Sequence, residues 1–91
     1  MDVAIVLQLV KEGIGIKTDV RDGYITVIIK GVIKELEDEK GLILDGSNDY
    51  HLLFVVDYAA WSYRNKDGEA MPRHLQFRLH NMIIHNGRIN T

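Results

Sequence analysis

Apolar residues recur along this chain at intervals of three and four, and at one place they crowd into a nearly unbroken run. Val3, Val6, Leu7 and Val10 share a face at helical spacing, which predicts a short first helix over Asp2 to Glu12 with Asp2 at its N-terminus. Gly13 and Gly15 are expected to end it, and Ile14 and Ile16 to fold the connection back onto the core. Ile25, Ile28, Ile29, Val32 and Leu36 then recur at i, i+3, i+4, i+7 and i+11. They carry a long second helix, capped by Thr18 or Asp19, to about Glu39. Some 20 residues rising 1.5 Å each make it about 30 Å long, so it can protrude from a small domain. The segment YITVII favours a strand locally, but three sustained turns of helical spacing outweigh that preference.

Between Leu52 and Trp61 only Asp57 is polar. That run is too long for an ordinary strand, so the span from Asp49 to Asn65 is expected to be a buried third helix that the others cover. Leu52, Val56, Ala59 and Tyr63 form one stripe on it, and Phe54, Tyr58 and Trp61 a second. Ser47 or Asn48 caps it, after a loop in which Leu42, Ile43 and Leu44 lie along the core and Asp45-Gly46 turns the chain. Pro72 suits the first position of a last helix, whose buried stripe is Leu75, Leu79, Met82 and Ile83, with Phe77 and Ile84 partly outside it. Asn86-Gly87 is expected to stop that helix and leave a short tail, RINT. The fold class is therefore all-α, a small bundle of four helices in one domain over residues 1–91.

Two features of the second helix look costly for an isolated chain. Gly31 lies in its interior, where glycine costs about 1 kcal/mol relative to alanine, and a close approach by another helix would offset that cost. Glu35, Glu37, Asp38 and Glu39 place carboxylates at a helix C-terminus, which prefers cations, and Glu35 repels Glu39 at i, i+4.

Composition narrows the chemistry more than it identifies it. With no cysteine there is no disulfide framework and no thiolate metal site, which fits an intracellular place of synthesis. No stretch reaches the 18 or so apolar residues of a membrane span, and the acidic residue at position 2 with no basic stretch following argues against a secretory leader. The net charge of −2 conceals an asymmetry: residues 1–60 carry eleven acidic and six basic side chains, residues 61–91 two acidic and five basic. Two electrostatically different surfaces can follow from this.

Catalytic and metal signatures are weak. His51, His74, His80 and His85 include no i, i+4 pair of the kind a helical zinc motif needs, so no metal or other cofactor is expected. Gly13-Ile14-Gly15 follows no strand and lacks the third glycine of a phosphate loop. Asp57, alone in an apolar helix, needs a partner if buried, and Arg73 or Arg78 can supply it. It has no companion nucleophile that would make it a general base. Arg73, His74, Arg78 and His80 on the last helix admit a small helical DNA-binding regulator, although the slightly acidic chain speaks against one.

The central and last helices, VVDYAAWSYRNKDGEAMPRHLQFRLHNMII, resemble the head-tail connector (adaptor) family of tailed bacteriophages. There an alanine- and aromatic-rich helix ends in a Tyr-Arg-Asn-like sequence, followed by a polar turn, a proline and an amphipathic helix. Tyr63, Arg64, Asn65 and Pro72 stand at those places, and the preceding order of a short helix, GIGIKTD, a long helix and a loop also agrees. The resemblance implies a non-enzymatic structural protein of a phage or prophage. It would be assembled in the host bacterial cytoplasm and sit in the virion neck, in a homo-oligomeric ring between the portal protein and the next tail-completion protein. It implies neither membrane attachment nor sequence-specific nucleic-acid binding. A ring needs two unlike, complementary surfaces on each subunit. Glu35, Asp38 and Glu39 are the candidate acidic side, and Arg64, Arg73, Arg78 and Arg88 the candidate basic side. Such pairs are individually weak, so the isolated chain can be monomeric.

Overall fold

The computed structural model describes residues 1–65 and 68–89, with side chains of the last helix as far as His85. It contains four α-helices: α1 (Val3–Ile14), α2 (Asp22–Lys34), α3 (Asp49–Arg64) and α4 (Arg73–Ile89). No strand occurs among the described residues, and the architecture is the all-α bundle that the periodicity predicts.

Asp2 opens α1 by accepting the Ala4 amide on its side chain at 2.9 Å, as expected of an N-cap. Gly15 closes it with φ of 90°, a left-handed conformation that only glycine adopts without strain, and its amide bonds the Lys11 carbonyl at 2.8 Å. Asn48 caps α3 by accepting from the amides of Tyr50 at 2.9 Å and His51 at 3.3 Å. Just before it, Asp45 turns the chain by accepting from both the amide and the hydroxyl of Ser47.

The core is one cluster. Val6 and Val10 of α1, Ile25 and Ile29 of α2, Phe54 and Val55 of α3, and Leu75 of α4 are all essentially removed from water. Each large apolar side chain so buried contributes about 1.5–3 kcal/mol. α3 is central: it packs against α1, α2 and α4, whereas among the described residues α4 packs against no helix but α3. The molecule is accordingly elongated, 45 × 28 × 19 Å.

Several local expectations need correction. Neither Thr18 nor Asp19 caps α2. The helix starts at Asp22 after an uncapped Arg21, and the Asp22 carboxylate instead meets the Lys11 ammonium at 2.8 Å, tying α1 to α2. The long second helix does reach Glu39, but its last turn, Glu35–Glu39, is a π-helix, closed by bonds from Lys40 to Glu35 at 3.1 Å and from Leu42 to Leu36 at 3.0 Å. Gly41, at φ of 68°, lets the chain leave that turn with Leu36 and Leu42 both buried.

A side chain added at Gly31 would meet nothing within 4 Å among the described residues, so none of them offers the close approach that would offset its cost. Ile43 is 65% exposed, because extended backbone sends Leu42 inward and its neighbour outward. Ile83 is exposed too, at the edge of the Leu75, Leu79 and Met82 stripe, one α-helical turn beyond Leu79. Asn86-Gly87 does not stop α4, which continues to Ile89; glycine ends a helix only when it takes up a left-handed cap. Asn90 and Thr91, the end of the expected tail, lie outside the described residues.

Candidate functional site

The seven residues expected at an interface do not form one site. Glu35 is half-buried, and its carboxylate accepts the Tyr58 hydroxyl of α3 in a short hydrogen bond. Burial, that hydrogen bond and the charges of Glu35 and Glu39 together push the Tyr58 phenol far above its ordinary value. The carboxylate is thus committed within its own chain. Arg78 is likewise occupied. Its Nη1 donates to Asp57 Oδ2 at 2.8 Å, and its guanidinium lies 5.3 Å from the Phe54 ring centroid and 5.9 Å from that of Tyr50. Of the two partners expected for Asp57, Arg78 is the one that meets it. Because the Asp57 side chain is 42% exposed, the ion pair contributes at most about 1 kcal/mol, and the flanking rings add a similar amount. Arg64 donates to the Gly13 carbonyl at 3.2 Å, satisfying an orphan acceptor at the end of α1.

Asp38, Glu39 and Arg73 are exposed. The Arg88 side chain lies outside the described residues. The two sets of exposed charges share one property. Asp38 and Glu39 are anions at the negative end of the α2 and π-helix continuum, and Arg73 is a cation at the positive end of α4, whose first turn has no acidic residue. Among the described residues, Arg73 has no ion-pair or hydrogen-bond partner.

Tyr58→Phe tests the internal bond. It should cost about 1 kcal/mol in urea denaturation near neutral pH. The wild-type contribution is complete below the ordinary tyrosine pKa of about 10, and it fades as pH rises further, because the unfolded chain then releases the proton first. The variant should lack that part of the alkaline loss; an unchanged alkaline profile would show that the bond is not made in solution.

The sequence reading missed a groove. Because α1 and α4 flank α3 without packing on each other among the described residues, a strip of α3 is open between them. Leu9, Glu12 and Gly13 of α1 form one wall, and Leu52, Leu53 and Val56 of α3 form the floor of a hollow of about 600 Å³, with Asp49 and Asp57 at its edge. A second hollow of about 370 Å³ continues it past Ala60 and Trp61 to His74 and Leu75 of α4. Trp61, expected in the core, is only half-buried here. Leu53 is 55% exposed. It belongs to neither of the stripes drawn on α3, and that was the signal available.

Among the described residues no cluster of His, Asp and Glu could hold a metal ion, and no helix is long and apolar enough to cross a membrane. Compared with protein-family models, curated proteins and solved structures, the chain matches none.

Proposed function

We propose that the chain is a structural adaptor of the head-tail connector kind, without enzymatic activity. It joins a ring beneath the portal in the neck of a phage or prophage virion and presents a platform to the next tail-completion protein. The observation that carries this reading is the pair of mismatched helix ends. Asp38 and Glu39 lie at an anion-disfavouring terminus and Arg73 at a cation-disfavouring one, all exposed, and each would gain most from the opposite charge on a neighbouring molecule. Their individual contributions are small, about 0–1 kcal/mol each, which suits a subunit that is monomeric at low concentration and closes into a ring when a portal raises its effective concentration.

Co-sedimentation with the portal protein of the same phage or prophage tests it, with a DNA duplex titrated in parallel. An adaptor travels with the portal and binds no duplex preferentially. A duplex preferred about a thousandfold over random sequence, with affinity falling steeply as salt rises, would identify a DNA-binding regulator instead.

A further inference from the structure

The outer face of α4 is the counterpart of the groove. Arg73, Phe77, His80 and Ile84 recur at i, i+4, i+7 and i+11 and are all exposed, with Phe77 67% open to solvent. They lie opposite Leu75, Leu79 and Met82, which fix α4 to α3. The helix carries no Asp or Glu along its whole length and has three arginines and three histidines. The groove is apolar at its floor and acidic around the Leu53 end, where Glu12 and Asp49 are exposed without an ion-pair partner among the described residues and Asp57 is shared with Arg78, while its Ala60 end is lined also by Arg64 and His74.

We propose that the α4 ridge of one copy docks in the α1/α3 groove of a second copy. Phe77 and Ile84 stand seven residues apart, about 10 Å along a helix, the same spacing as Leu53 and Ala60 along the floor. Phe77 seats on Leu53 and Leu9, while Arg73 and His80 face Glu12 and Asp49. An apolar contact ringed by opposite charges is what stable protein contacts share, and the charge pattern sets its direction. Groove and ridge are different surfaces of one chain, so the contact is heterologous, leaves a free groove at one end and a free ridge at the other, and propagates head to tail. The inference deepens the adaptor reading, on which it rests for the expectation that the series closes into a ring.

Two variants separate the halves. Leu53→Lys blocks the groove and keeps the ridge; Phe77→Glu blocks the ridge and keeps the groove. Both positions are exposed, so far-UV circular dichroism should be unchanged. In sedimentation experiments up to millimolar concentration, the wild type should form dimers and larger species. Each variant alone should self-associate at least about tenfold more weakly, and the two mixed should give a one-to-one heterodimer and nothing larger. A wild type that stays monomeric throughout, variants that associate as it does, or a mixture without the heterodimer each overturns the contact. Portal binding measured on the same variants keeps the two claims apart. A heterodimer without portal binding sinks the adaptor and leaves the contact standing, and portal binding by variants that never pair does the reverse.

Discussion

Phe54→Ala should destabilise the protein by about 3–5 kcal/mol, the largest effect of any single truncation. Phe54 has no exposed surface, sits on the one helix that touches the other three, and has the Tyr58 ring 6.0 Å away and the Arg78 guanidinium over its face. Its removal opens a cavity in the core and takes away the surface on which Arg78 stacks. For a chain of 91 residues, total stability is expected near 5–13 kcal/mol, so the variant should melt roughly 15–30 °C below the wild type or fail to fold at 37 °C. Calorimetry checks this. A loss below about 1 kcal/mol would mean that α3 is not the packed centre. Trp61→Ala should cost less than Phe54→Ala, since Trp61 keeps part of its surface in the groove.

The second large effect is expected at Leu75, through a different mechanism. Among the described residues α4 is held by one helix, and its attachment includes Leu75, Leu79, Met82 and the Arg78 to Asp57 bond. Leu75→Ala should cost about 2–5 kcal/mol. Its consequence should be local. Amide hydrogen exchange should accelerate across α4 more than in α1, α2 or α3, because a helix docked on a single partner opens as a unit. Uniform acceleration along the chain would show instead that α4 unfolds only with the rest.

What the sequence made legible were the features governed by neighbours in the chain. Helical periodicity located all four helices, Asp2 and Asn48 were readable as caps, and an aspartate within an apolar run announced its need for an arginine. What it left hidden depends on where separate elements meet. Nothing near Glu35 shows that Tyr58, 23 positions on, would claim its carboxylate and remove it from an interface. The crowding of carboxylates from Glu35 to Glu39 was visible, but not that this turn would be a π-helix from which Leu36 and Leu42 both reach the core. Gly31 and Asn86-Gly87 were read through local rules about glycine, and there the surroundings decided: open solvent at the first, an uninterrupted helix at the second. The groove escaped because the run around Asp57 is apolar on nearly every face, which hides the question of how many helices are there to cover it. Three are, and they leave a strip bare.

Electron microscopy of the chain mixed with the portal protein of the same phage or prophage tests the central proposal most directly. An adaptor gives an added ring of density on one face of the portal, with neighbouring subunits joined ridge to groove and Arg73 close to a carboxylate of the next copy. Bare portals at saturating concentrations of the chain, with no rings formed by the chain alone, would contradict it.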